Sequence, residues 1–206
     1  MKLARIGERG SEVPAVLDRD GVHRDVSSLV SDFTPEFFAG DGTERLRSSD
    51  LSALPAVEGR IGAPIARPSL ILCVGLNYVD HANESSMKVP EEPILFTKAP
   101  NCLVGPYDEV LTPRGATTVD YEVELAVVIG RQCRYLESPE QAMEHLAGFT
   151  IANDVSERTF QLQRGGGQWI KGKSCETFNP CGPYLATTDE VNLDGGLDLW
   201  LDVNGE

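Results

Sequence analysis

The run Asp120-Tyr121-Glu122-Val123-Glu124-Leu125-Ala126-Val127-Val128-Ile129 constrains this chain more than any other stretch. Its second half is apolar and β-branched, which reads as a buried strand, and alternation of side chains along a strand puts Glu122 and Glu124 on one face. Two carboxylates at adjacent positions of the same face repel one another and lose hydration. A strand can carry them only if water or a cation lies against that face. Carboxylate oxygens suit hard divalent ions such as Mg²⁺ or Mn²⁺. The plainer alternative is an edge strand whose acidic face is wet, and from this pair alone both readings stay open.

The rest of the composition excludes more than it selects. With 206 residues and 41% hydrophobic side chains, the chain is long enough for one substantial core, or for one large and one small domain. The formal charge of -14 argues against nucleic acid or an anionic membrane as a partner. Apolar runs are too short to span a bilayer, and Met1-Lys2-Leu3-Ala4-Arg5 lacks the apolar core of a signal peptide, so a cytoplasmic location is expected. Five cysteines without a Cys-x-x-Cys pair predict reduced thiols.

Turn and cap signals divide the chain. Val13 to Leu17 and Val22 to Val26, joined by Asp18-Arg19-Asp20-Gly21, predict a hairpin. Thr34-Pro35 ahead of Phe37-Phe38-Ala39 and Gly40 predicts a short capped helix. The aperiodic stretch from Glu58 to Pro68 marks a boundary near Arg67, giving a small amino-terminal α+β domain (1–67) and a larger one (68–206). In the larger region Leu70 to Leu76 and Phe149 to Asn153 read as strands. Ser138, Pro139 and Gln141 start a helix that Gly148 closes, with His145 on its solvated surface. The expected class is α+β, mainly β, with long loops.

Two polar groups add to the acidic strand. Asp154, at the end of the strand Phe149 to Asn153, could complete a metal site with Glu122 and Glu124 while leaving positions for water or substrate. If Asn77 to Glu84 is helical, His81 and Glu84 share a face, where a carboxylate can hold an imidazole in one tautomer as a general base; an ordinary surface ion pair is the alternative. Gly167-Gln168-Trp169-Ile170-Lys171-Gly172-Lys173-Ser174 has the spacing of a phosphate-binding loop. Its context opposes that reading, because no apolar strand precedes it and prolines follow where a helix is needed.

Taken together, these motifs resemble the fumarylacetoacetate hydrolase family. Gly75-Leu76-Asn77-Tyr78 with His81 and Glu84, Asp120 to Leu125, Asn153 to Arg158 with Gln161, Gln168-Trp169 with Gly172-Lys173-Ser174, Pro180-Cys181-Gly182-Pro183 and Val203-Asn204-Gly205-Glu206 match it in order over about residues 70 to 206. The resemblance implies a mixed β-sandwich roll with a small amino-terminal domain, often a homodimer, and a Mg²⁺ or Mn²⁺ site. Glu122, Glu124 and Asp154 would be the ligands, His81 and Glu84 a dyad on a lid, and Lys173 a cation beside the reacting centre. Tyr78, Arg158 and Gln161 would contact substrate, a small oxo acid. Members usually continue for several strands past the Asn-Gly-Glu motif, so missing carboxyl-terminal strands, and with them one wall of the pocket, are expected. Cys175 and Glu176 stand where members often have an aromatic residue and aspartate. Three functions follow: a metal-dependent hydrolase of C–C bonds in acylpyruvates or β-diketo acids, with isomerisation or decarboxylation through the same enolate as variants; a non-catalytic metal-stabilised fold; and the disfavoured nucleotide binder.

Overall fold

In the computed structural model, which describes residues 1–80 and 88–206, the strands are β1 (Lys2–Ile6), β2 (Val13–Leu17), β3 (His23–Asp25), β4 (Ile71–Gly75), β5 (Ile94–Lys98), β6 (Leu103–Val104), β7 (Val119–Asp120), β8 (Val123–Ile129), β9 (Leu146–Asn153), β10 (Ser156–Glu157) and β11 (Asn179–Thr187). Helices are few and short, as a mainly β chain requires. A seven-stranded sheet runs in the order β3-β2-β1-β11-β9-β8, with β6 beside β11. The pairing is antiparallel except for β6 with β11, which is parallel, so the sheet is mixed. Two ribbons stand apart from it, β4 with β5 and β7 with β10.

The amino-terminal elements follow their local signals. Asp18 closes the β2–β3 turn by accepting from the amides of Asp20 and Val22 at 2.9 and 2.8 Å, the usual behaviour of aspartate in a tight turn. The helix Pro35–Ala39 starts where the Thr34 hydroxyl accepts from the Phe37 amide. It buries Phe37 and Phe38 against Phe33, Val16, Val26 and Leu46. Leu185 of β11 lies in the same cluster, and β1 is hydrogen-bonded to β11. Both backbone pairing and apolar packing therefore cross the position of the expected boundary near Arg67.

A second link across that position is ionic. Arg60 donates to both carboxylate oxygens of Asp108, to Glu12 and to the Gly7 carbonyl. The Arg60 hydrogen bond holds the Asp108 carboxyl below its ordinary pKa. Burial pushes Glu12 up, but its backbone amide, Arg60 and Arg5 outweigh that and bring it down. Groups whose pKa is depressed on folding stabilise the fold above their unfolded pKa, and that stability drains away as pH falls through the folded value. The melting temperature should fall steeply below about pH 4, and an Asp108→Asn variant should show a shallower acid limb in melts taken from pH 7 to 2.5. Parallel limbs in parent and variant would exclude this linkage.

The structure departs from expectation around residue 145. The helix covers only Pro139–Met143, although Ser138 caps it as predicted, and β9 begins at Leu146. Apolar residues at 142, 143, 146 and 147 fit a helical stripe, but pairing of Leu146, Gly148 and Phe149 with β8 decides their state. Gly148 lies inside the strand at φ 157°, where an added Cβ would meet the Ala186 carbonyl oxygen at 2.0 Å. His145 sits in the turn before β9, half-buried, with Nδ1 buried and without a hydrogen-bond partner among the described residues. All five cysteines are free. No helix among the described residues is long and apolar enough to cross a membrane.

Candidate functional site

The site grows out of the β8–β9 ladder. Val123 pairs with Asn153, and the ladder continues one step further as the Asp154 amide donates to the Glu122 carbonyl at 2.9 Å. Glu122 and Asp154 thus stand opposite each other on one face, with Glu124 two residues along it. Like charges placed opposite on a sheet repel, and this pair is compensated from the side. Lys173, the last residue of the short helix Ile170–Lys173, donates from Nζ to Glu122 Oε2 at 2.7 Å and to Asp154 Oδ2 at 2.8 Å. Its side chain is 3% exposed, and the ammonium also lies 5.2 Å from the ring centroid of Phe96.

Further charges extend the group on either side. Arg158, first residue of the helix Arg158–Leu162, donates to Asp120 Oδ2 at 2.9 and 2.7 Å, to Glu122 Oε1 at 2.6 Å and to Gln161 Oε1 at 3.1 Å. Lys98 of β5 donates to Asp154 Oδ1 at 2.6 Å and to the Val155 carbonyl at 3.1 Å. The result is a row of alternating sign: Asp120, Arg158, Glu122, Lys173, Asp154, Lys98. Burial raises the pKa of Asp154, yet Lys98 and Lys173 together hold it below the ordinary carboxylate value.

Glu124 is the member of the cluster least compensated by these cations. Burial first, then Glu122 and Asp154, push its pKa up to about 7 against the opposing pull of Lys173 and the Tyr78 hydroxyl. That hydroxyl accepts from the Leu125 amide at 3.4 Å, and burial raises its own pKa. Trp169 completes an aromatic wall with Phe96, ring centroids 5.3 Å apart. It packs so closely on β4 that a Cβ at Gly75 would lie 2.7 Å from its ring.

Of the residues singled out in the sequence, Tyr78, Glu122, Glu124, Asp154, Arg158, Gln161 and Lys173 are brought together. His81 and Glu84 lie outside the described residues. Sequence reasoning missed Lys98 as a member, although one signal for it existed: the strand Ile94-Leu95-Phe96-Thr97-Lys98 ends on a lysine two residues from Phe96, hence on the same face. The spacing of a phosphate-binding loop falls on a glycine-rich turn and the four-residue helix Ile170–Lys173, preceded by the helix Arg158–Leu162 rather than by a strand.

Three carboxylates supply hard oxygen donors, and one of them, Glu124, is pushed up to about 7 by burial first and then by its acidic neighbours. By donor chemistry the set fits a hard divalent ion. Its arrangement is not a ready cage, since among the described residues no group of three or more His, Cys, Asp or Glu side chains is placed to hold a metal ion. The oxygens of Glu122 and Asp154 are directed onto Lys98, Lys173 and Arg158.

Comparison with known proteins places the arrangement. The family model for the fumarylacetoacetate (FAA) hydrolase C-terminal region matches residues 70–206. A protein of Burkholderia multivorans that carries only a provisional hydrolase name is 46% identical over 207 aligned positions, covering all of this chain and 73% of that relative. Among solved structures, fumarylacetoacetate hydrolase from the psychrophile Exiguobacterium antarcticum superposes with a TM-score of 0.73 at 34% identity, over 93% of this chain and 68% of its own. A Mycobacterium abscessus protein provisionally named 2-hydroxyhepta-2,4-diene-1,7-dioate isomerase gives a TM-score of 0.72 at 33% identity, over 91% and 64%. The family match over residues 70–206 takes in all six residues of the charged row, and the Burkholderia multivorans relative aligns along the whole chain, so this chain belongs to the fumarylacetoacetate hydrolase family.

Proposed function

We propose that this chain is a divalent-metal-dependent hydrolase that cleaves a C–C bond in an acylpyruvate or β-diketo acid through an enolate. Family members are hydrolases and isomerases that generally use a divalent metal ion. The observation that carries the reading is the buried ammonium of Lys173, bonded to Glu122 and Asp154 and backed by the ring of Phe96. A fixed positive charge in a desolvated pocket favours a reaction in which negative charge develops on an oxygen beside it. Arg158, fixed by Asp120 and Glu122, offers its guanidinium as a partner for the substrate carboxylate. Gln161, 3% exposed, accepts a hydrogen bond from that guanidinium at 3.1 Å.

Glu122, Glu124 and Asp154 would hold the metal ion, Mg²⁺ or Mn²⁺. When bound, it supplies electrophilic polarisation of a carbonyl oxygen. Tyr78 fixes Glu124 through its hydroxyl, and Trp169 and Phe96 keep water from that side of the pocket. His81 with Glu84 would take the proton from the attacking water.

Glu124→Ala tests the reading. Turnover of a panel of acylpyruvates and oxaloacetate with Mn²⁺ should drop by about 10²-fold or more, with the fold intact by circular dichroism; parent-level turnover in this variant sinks it. The likeness to a provisionally named isomerase favours a second reading, in which the enolate is reprotonated elsewhere along the carbon chain instead of being formed by hydrolysis. Product analysis separates the two, since only the hydrolase releases two smaller acids.

A further inference from the structure

We propose that Lys98 is a positioning residue for this site: it locks the carboxylate of Asp154 in the one orientation that leaves Oδ2 facing Lys173 and the reacting centre. The inference rests on the site reading above and adds a residue to it.

Lys98 is 1% exposed over the residue and 0% over its side chain. A buried ammonium is costly unless its partners are close and well directed. Its two acceptors are Asp154 Oδ1 at 2.6 Å and the carbonyl of the next residue, Val155, at 3.1 Å. One nitrogen thus grips both the side chain of Asp154 and the backbone beside it. Rotation of the carboxylate would break the first bond, and a shift of the strand end would break the second. Asp154 Oδ2 is left to Lys173.

The origin of Lys98 in the fold supports a purpose beyond filling space. It ends β5, and among the described residues β5 pairs only with β4 in a two-stranded ribbon outside the main sheet. Phe96, on the same face, contacts Lys173 and Trp169. Isolated two-stranded ribbons are marginal, so the ion pair between Lys98 and Asp154 ties the aromatic wall to the acidic ladder at a set distance. Groups that orient a metal-binding carboxylate from behind are worth about 10- to 100-fold in affinity or activity.

The test compares Lys98→Met, which keeps the length and apolar stem but has no donor, with Lys98→Gln, which can still donate to Asp154, and with exposed Lys171→Met as control. Mn²⁺ affinity is read by electron paramagnetic resonance, the melting temperature in chelator, and kcat and KM on the best substrate of the panel. Lys98→Met should bind Mn²⁺ about 10- to 100-fold more weakly and lose kcat in similar proportion. Lys98→Gln should recover part of both, and Lys171→Met should match the parent. A folded Lys98→Met with parental affinity and turnover overturns the role. So does one that only melts earlier, which would make Lys98 a structural ion pair and nothing more. Should neither Lys98 variant fold, the parent labelled with ¹³C at lysine Cε decides: substoichiometric Mn²⁺ should broaden the Lys98 and Lys173 resonances first, and a sharp Lys98 signal overturns the proposal. Failure of the site reading looks different, because the parent itself would then neither bind Mn²⁺ nor turn over any oxo acid.

Discussion

Lys173→Met should cost about 3 to 5 kcal/mol of stability and lower the melting temperature by roughly 10 °C or more, besides reducing turnover by about 10²-fold. Methionine fills nearly the same volume, so the effect isolates the ammonium. Glu122 Oε2 and Asp154 Oδ2 would then face each other across the β8–β9 ladder without the Lys173 ammonium that bridges them. Lys98 and Arg158 bond the opposite oxygens of the two carboxylates, Asp154 Oδ1 and Glu122 Oε1. Burial makes the loss large, because water cannot easily reach carboxylates whose side chains are 13% and 8% exposed. Adding Glu122→Gln to Lys173→Met should restore part of the melting temperature by removing one of the two charges, while leaving turnover low. A single variant that melts within 2 °C of the parent would contradict the burial argument.

Gly172→Ala is expected to be the most damaging single methyl group in the site region. A Cβ there would lie 2.5 Å from the Gln161 amide nitrogen, 2.5 Å from the Glu157 carbonyl oxygen and 2.6 Å from the Gln161 Cβ. Two of these are backbone atoms of the neighbouring segment, which cannot swing aside as a flexible side chain would. Overpacking of this kind costs about 1 to 3 kcal/mol. The helix Ile170–Lys173 would have to move away from the helix Arg158–Leu162, and Lys173 would move with it. A misplacement of about 1 Å can cost on the order of 10²-fold in rate. Melting temperature and kcat measured together check this: kcat should fall far more than the stability loss would explain at assay temperature. A variant with kcat unchanged would show that the two helices do not set the position of Lys173.

Much of the site was legible because its members sit in short, ordered strings. Glu122 and Glu124 declare themselves by spacing on a strand, Asp154 by its place at a strand end, and Lys173 and Arg158 by the motifs around them. Lys98 was not legible in that way. A lysine closing the strand Ile94–Lys98 looks like a solvated strand end until Asp154, 56 residues away, is seen beneath it. The helix expected to run to Gly148 fails for a related reason: residues 142 to 147 satisfy a helical stripe, and only the partner strand β8 makes Leu146–Asn153 a strand. The boundary near Arg67 follows a real loss of pattern, yet β1 and Leu185 join the two sides, a pairing between residues more than 180 positions apart that no local window contains.

From its sequence alone, this chain settles what depends on neighbours along the backbone: the Thr34 and Ser138 caps, the Asp18 turn, and the strand alternation that places Glu122 and Glu124 on one face. These are short-range hydrogen bonds and steric preferences, so a few consecutive residues suffice to specify them. The tertiary structure alone decides how the charges are compensated. Which carboxylate Lys98 and Lys173 reach, and why the pKa of Glu124 is pushed up to about 7, depends on burial and on distances between elements far apart in sequence, and Coulomb energies at those distances change severalfold with the local dielectric.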